Sequence, residues 1–229
     1  MFLISRILCS FLFLFGWLPL CESSFAGAEG FTICKGLPSY VNNGLSVAPL
    51  IILDPGHGGT DEGAKVQSVL EKRIALTTAL LTKKQLESLG YRVIMTRSRD
   101  VFLTLPKRVD IANKSKAALF VSIHYNSSPN PSAKGIEIYF FEARGQERTR
   151  ASKRLANTIL HQVIDQTEAH SRGVRRGNFH VVRETEMPAV LVEGGFMTNI
   201  DERFQLKDRK YLEKIAKGIA QGVHKFLNT

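Results

Sequence analysis

The 229-residue chain has three cysteines, Cys9, Cys21 and Cys34. Two of them sit in an apolar leader, so processing would leave Cys34 alone. One cysteine cannot close an internal disulfide, and one thiolate cannot build a cysteine-based zinc site. Any metal must therefore be held by histidine and carboxylate. The glycine-rich stretch Ile51–Ala64, "IILDPGHGGTDEGA", contains neither GxGxxG nor the Lys-Ser/Thr of a P-loop, which argues against a phosphate cradle. No period of roughly 20–50 residues repeats, which argues against a solenoid or propeller. Nucleic-acid motifs are absent as well, and no nucleic-acid partner is expected.

The leader carries one early positive charge, Arg6, then an apolar run from Ile7 to Leu18, then Pro19. The run is short for a bilayer span and has the shape of a signal-peptide core. Ala26-Gly27-Ala28 offers small residues for cleavage. Residues 1–28 are thus expected to be a signal peptide, 29–48 an extended N-terminal arm, and 49–229 one catalytic domain without a transmembrane helix. Leu18-Pro19-Leu20-Cys21 is a poor lipoprotein signal, because bulky Leu20 stands where a small residue is usual. Export to the periplasm or envelope without lipid on Cys21 is the expectation. The formal net charge is +10, and the leader's Arg6 and Glu22 cancel, so the remainder keeps it. An exported basic protein suits an acidic envelope polymer.

The apolar run 48–54 ends at Pro55-Gly56 and reads as a buried strand. A helix is expected over 68–90 and a strand over 91–97, which makes a βαβ unit with a parallel pair. A helix over 104–116, strands over 117–126 and 134–141, and a helix over 148–165 follow. Strands over 179–183 and 188–195 and a closing helix over 208–227 complete the pattern. The fold class is α/β: a single domain with a twisted, mixed, mostly parallel sheet of about six strands and helices on both faces.

Ligands of such sheets bind beyond the carboxyl ends of the strands. His57 lies just past the first strand, His124 near the end of "LFVSIH", and Glu193 at the end of "AVLVE". Glu71, in the first turn of the crossover helix, can point to the same edge. Two histidines and one carboxylate with an open position form a known catalytic zinc arrangement, and a further carboxylate can serve as general base. Each residue also has an ordinary reading. His57 could be a loop histidine and His124 a satisfied core histidine. Ser68-Val69-Leu70-Glu71 fits a capping box in which Glu71 bonds back to Ser68. Glu193 has the weakest ordinary reading, since an unpaired carboxylate in an apolar strand is costly.

The ordered motifs "LDPGHGG", "EK" opening a helix, "SIHYN" and "PAVLVEGGFMTN" resemble the zinc-dependent N-acetylmuramoyl-L-alanine amidases of the third amidase family. The resemblance covers roughly residues 49–227. It implies that His57, Glu71 and His124 bind one zinc ion and that Glu193 is the catalytic glutamate. It further implies peptidoglycan or its muropeptides as substrate, cut at the amide between N-acetylmuramic acid and L-alanine. A zinc peptidase or carboxypeptidase acting within the stem peptide, and a degenerate wall-binding module, are the alternatives. Three departures stand out. Glu62 replaces a frequent proline. Tyr125 replaces a small residue and, with Asn126, is a candidate for substrate contact. The long insertion whose helix blocks the zinc in some members is expected to be absent between Phe141 and Phe179.

Overall fold

The computed structural model of the chain describes residues 41–42, 45–142 and 146–229. The expected signal peptide and most of the expected arm lie outside the described residues. The described end of the arm is a short antiparallel pair, β1 (Val41–Asn42) with β2 (Leu45–Ser46). There follow β3 (Leu50–Pro55), β4 (Lys65–Val66), β5 (Val69–Leu70), α1 (Glu71–Ser88), β6 (Arg92–Met95) and α2 (Leu105–Ser115). Then come β7 (Leu119–Asn126), β8 (Ile136–Phe140), α3 (Gln146–Thr167), β9 (Ser171–Arg176), α4 (His180–Arg183), β10 (Ala189–Phe196), α5 (Ile200–Lys207) and α6 (Arg209–Leu227). Among the described residues no helix is long and apolar enough to cross a membrane.

The main sheet has six strands in the order β6-β3-β7-β10-β8-β9. β6, β3, β7 and β10 run parallel; β8 is antiparallel to β10, and β9 is parallel to β8. Side chains alternate across the sheet with the period of two that a pleated strand imposes. Ile51, Leu53, Val121, Ile123, Val190 and Val192 face the larger core, shared with α1, α3 and α6. Ile52, Phe120, Ala189 and Leu191 face the smaller one, closed by Ala112 of α2 and by Val181 and Val182 of α4. Helices therefore cover both faces. α6 earns its place by spacing: Leu212, Ile215, Ala216, Ile219, Val223 and Phe226 are buried at helical intervals.

Three local expectations are corrected. Residues 179–183 form one helical turn, with Arg183 N–H donating to Phe179 O at 2.9 Å and Glu184 N–H to His180 O at 2.9 Å. The Val181-Val182 pair favours a strand intrinsically, but both side chains are buried together, and packing outweighs the propensity. The segment Ser171–Arg176, for which no element was expected, is the edge strand β9. Its three arginines suit an edge, where charge discourages pairing with another chain. Finally, α1 begins at Glu71 rather than 68, because Val69 and Leu70 pair with Val66 and Lys65.

A buried polar cluster ends β3. The Asp54 carboxylate, 1% exposed, accepts from Thr96 Oγ1 (2.6 Å), Arg108 Nη1 (2.8 Å) and Ser122 Oγ (2.8 Å). Arg108 also donates to the carbonyls of Pro55 (2.7 Å) and His57 (2.6 Å). Arg97 donates to Pro55 O (3.0 Å), Gly56 O (2.6 Å) and Lys72 O (2.9 Å). Two buried guanidinium groups thereby fix three consecutive carbonyls of the loop after β3. Arg108→Ala leaves Asp54 buried without its cation and should lower the unfolding free energy by about 3–5 kcal/mol. Urea denaturation measures this, and a loss below about 1 kcal/mol would show that the cluster does not hold the loop.

Candidate metal centre

The clamped loop turns His57 out of the strand direction. His57 has φ 58°, a left-handed conformation that a non-glycine residue adopts only when its surroundings impose it. Two glycines clear the space around it. A Cβ on Gly56 would lie 2.3 Å from the His124 ring, and one on Gly63 would lie 2.6 Å from both Glu71 Oε2 and the His57 ring. Neither position can carry a side chain while the two histidines and Glu71 stay where they are.

Three side chains from separate elements meet there. His57 comes from the loop, Glu71 from the first residue of α1, and His124 from β7, and their ligand atoms lie within 4.8 Å of one another. His57 Nε2 is 3.0 Å and His124 Nδ1 2.9 Å from the same oxygen, Glu71 Oε1. The rings are edge to face, with centroids 4.8 Å apart. The other Glu71 oxygen accepts from Ala64 N–H at 2.8 Å, and Oε1 also accepts from Tyr125 N–H at 3.1 Å. Glu71 therefore does not cap α1 through Ser68; its carboxylate is aimed across at β7.

The electrostatics match a cation site. A carboxylate can only accept, so each nitrogen facing Glu71 contributes a proton, and a cation at the same point would satisfy all three atoms. Burial pushes Glu71 up, but hydrogen bonds and charge from His124 and His57 outweigh it and hold the carboxyl well below the usual range. Burial pulls His57 down, yet Glu71 and then Asp61 reverse this and raise it. Asp61 holds His57 Nδ1 at 2.9 Å from both of its oxygens. A carboxylate on the outer nitrogen of a ligating imidazole fixes its tautomer and leaves Nε2 facing inward.

Glu193 stands beside this trio, in register with His124 on the adjacent strand. Its Oε2 is buried with no hydrogen-bond partner. Burial, then the charges of Glu71 and Glu137, raise its pKa well above the ordinary carboxylate value. A cavity of about 120 Å³ opens beside the two histidines, lined by His57, Asp61, His124, Phe102, Leu105 and Val181. A larger, open groove of about 470 Å³, beside Asn157, His161, Asp165 and Ser171, holds none of these groups.

The remaining site residues divide. Tyr125 does not reach the cleft. It is 1% exposed, and its hydroxyl bonds Thr78 Oγ1 at 2.6 Å inside the larger core. Strand parity explains the correction, since residues 124 and 125 face opposite sides of the sheet. Asn126 does share the His124 face and donates to Glu137 Oε1 at 2.8 Å. Glu62 lies at the surface beside Lys65, 3.1 Å away. Asp61, Asp54, Arg97, Arg108 and Glu137 were not singled out in the sequence. Glu137 carried a usable signal, a lone carboxylate inside the apolar run "GIEIYFF".

Comparison with known proteins gives one answer. Residues 51–225 match the family model Amidase_3, described as N-acetylmuramoyl-L-alanine amidase. The chain is 34% identical to the N-acetylmuramoyl-L-alanine amidase AmiC of Neisseria meningitidis serogroup B, over 79% of this chain and 53% of that protein. It therefore spans about half the length of that relative. It is 36% identical to the amidase CwlM of Bacillus licheniformis, over 78% of this chain and 68% of that one. The solved catalytic domain of the amidase CwlV from Bacillus (Paenibacillus) polymyxa superposes with a TM-score of 0.73 at 39% identity, covering 79% of this chain and 98% of that one.

Glu193 gives the centre a pH signature. A carboxyl whose folded pKa is raised favours the protonated form, so its contribution to stability is fully present below the unfolded value of about 4.3. That contribution is lost as pH rises toward the raised folded pKa. Glu193→Gln removes the buried charge, so the metal-free variant should melt a few degrees or so above the parent at pH 8. At pH 4 the two should coincide. Thermal melts at both pH values measure it, and equal melting temperatures at pH 8 would contradict the assignment.

Proposed function

Since the chain belongs to the N-acetylmuramoyl-L-alanine amidase family, we propose that it is a peptidoglycan hydrolase. The bond cut is the amide between N-acetylmuramic acid and the L-alanine of the stem peptide. The observation that carries this reading is the unpartnered, buried Oε2 of Glu193 beside three converging metal-ligand side chains.

His57, Glu71 and His124 would hold one zinc ion per chain. Two imidazoles and one carboxylate, with a position left open, are the donor set of a hydrolytic zinc. When bound, zinc supplies an acidified water and polarises the scissile carbonyl. The chain's own residues supply the proton traffic and the alignment. Glu193 would accept the nucleophilic water's proton on its unpartnered Oε2. It then returns that proton to the alanine nitrogen as the amide breaks. No covalent enzyme intermediate is required, so no nucleophilic serine or cysteine is needed. With the ion bound, Asp61 would hold the proton on His57 Nδ1 and so leave the Nε2 lone pair facing inward. Arg97 and Arg108 hold the loop so that His57 needs no rearrangement before the reaction.

Two further readings accompany it. The protein is exported, with residues 1–28 removed as a signal peptide; the intact mass of the secreted chain, starting at Glu29 without lipid, is the check. The centre works without an activator. In support, the described residues between Phe141 and Phe179 consist of α3, β9 and short connections, and α3 packs against α6 and β8.

Purified, zinc-loaded protein incubated alone with defined muropeptides, followed by mass spectrometry, tests the reading. Expected products are free stem peptide and intact muramic acid. Glu193→Gln should keep stoichiometric zinc yet lose about 10²–10⁴-fold in turnover. Cleavage inside the stem peptide would favour the peptidase reading. Binding without cleavage would favour a wall-binding module, and cleavage only after adding a second protein would overturn the activator-free reading.

A further inference from the structure

Four residues line up across the active edge of the sheet. His124 on β7, Glu193 on β10, Glu137 on β8 and Gly173 on β9 are successive register partners. The row starts at the candidate metal centre and runs to the edge strand. Glu137 is the second carboxylate in it, 3% exposed, and unlike Glu193 it is fully partnered. Its Oε1 accepts from Asn126 Nδ2 (2.8 Å) and Tyr139 Oη (2.9 Å). Its Oε2 accepts from Arg172 Nε (2.9 Å) and Arg175 Nε (3.0 Å).

The way the arginines bind is informative. Each reaches Glu137 through Nε rather than through its terminal nitrogen pair, the fork that matches an incoming carboxylate. The Arg175 side chain makes no other polar contact among the described residues and stays 48% exposed. Arg172 adds a long contact to Lys134 O, 3.4 Å, and lies over the Phe196 ring at 4.9 Å. Two cations on one anion leave a surplus positive charge. The register of β8 and β9 shifts between Ile136 and Glu137, a bulge that places Arg172 on the same carboxylate as Arg175. Gly173, between the two arginines, has nothing within 4 Å of where a Cβ would stand, so the space there is open.

We infer that Arg172 and Arg175, braced by Glu137, form a subsite for a carboxylate of the substrate peptide. This rests on the amidase reading above. The first carboxylate beyond the scissile amide is the α-carboxylate of a γ-linked D-glutamate. It lies five bonds from the scissile nitrogen, about 6 Å in an extended chain. The guanidinium groups sit on Glu137, one strand from Glu193, and neighbouring strands are about 4.8 Å apart. A stem peptide leaving the metal centre along the row therefore brings that carboxylate to the arginines. Glu137 is the positioning residue: it holds both guanidinium groups by one edge and leaves the other edges for substrate.

The test uses N-acetylmuramoyl tripeptides that differ only in whether the α-carboxyl of the γ-linked D-glutamate is free or amidated. The zinc-loaded protein should prefer the free acid by about tenfold in kcat/KM. In Arg175→Ala and in Arg175→Gln that ratio should fall to about one, and Arg175→Lys should restore part of it. Each ratio is internal to one protein, so partial loss of folding does not imitate the effect. Equal cleavage of both tripeptides by the parent protein would reject the subsite and leave the amidase reading intact, as would an unchanged ratio in Arg175→Ala. If the parent cleaves neither tripeptide, the amidase reading fails. Calorimetry with the corresponding free peptides then decides the subsite: tighter binding of the acid, lost in Arg175→Ala, supports it, and equal affinities overturn it.

Discussion

Two buried guanidinium groups hold the loop from which everything at this centre follows. Arg97 and Arg108, 3% and 2% exposed, donate to the carbonyls of Pro55, Gly56 and His57. Those carbonyls belong to a chain leaving a parallel strand, with no ladder partner left to take them. Buried carbonyls without donors are costly, and arginine is the side chain that can serve several at once. Asp54 balances Arg108 and is itself held by Thr96 and Ser122. The cluster ties β3, β7, α2 and the segment after β6 to one point. His57 can keep its left-handed backbone because the carbonyls on either side of it cannot move.

Fixing that loop has consequences across the sheet. Glu71 heads α1 with its carboxylate crossing to β7, so one oxygen sits about equally far from a nitrogen of each histidine. The nearby carboxylates then divide by their partners. Glu71 and Asp61 are surrounded by donors and are held ionised, with pKa values lowered by the histidines. Glu137 is braced by two arginines. Only Glu193 has an oxygen with no partner, and only Glu193 is pushed strongly upward. Carboxylates kept within one small region but set to opposite proton affinities are the arrangement that hydrolytic chemistry uses.

Much of this was legible in the sequence, for identifiable reasons. The continuous apolar runs of β3, β7 and β10 mark strands buried on both faces, and their ends mark the edge where His57, His124 and Glu193 lie. Other parts were hidden by physics that acts between distant segments. Val181-Val182 looks like a strand until the space under β7 and β10 requires one helical turn. "SRGVRR" has no apolar alternation; it becomes an edge strand by backbone pairing with β8, with Val174 against the larger core and two arginines on Glu137. Tyr125 follows His124, yet strand parity sends it into the opposite core, which becomes visible once His124 is known to face the cleft. Asp54, Arg97 and Arg108 read as ordinary charges because nothing local announces that they are buried together.

The proposed chemistry requires one ion held by three side chains, with Glu193 outside the ligand set. A crystal structure of the zinc-loaded protein, with anomalous scattering recorded at the zinc edge, measures this directly. Expected is a single peak bonded to His57 Nε2, His124 Nδ1 and a Glu71 oxygen at about 2.0–2.2 Å, with Glu193 facing the open position and not bonded. A peak held elsewhere in the chain, or one that takes Glu193 in place of any of the three, would contradict it.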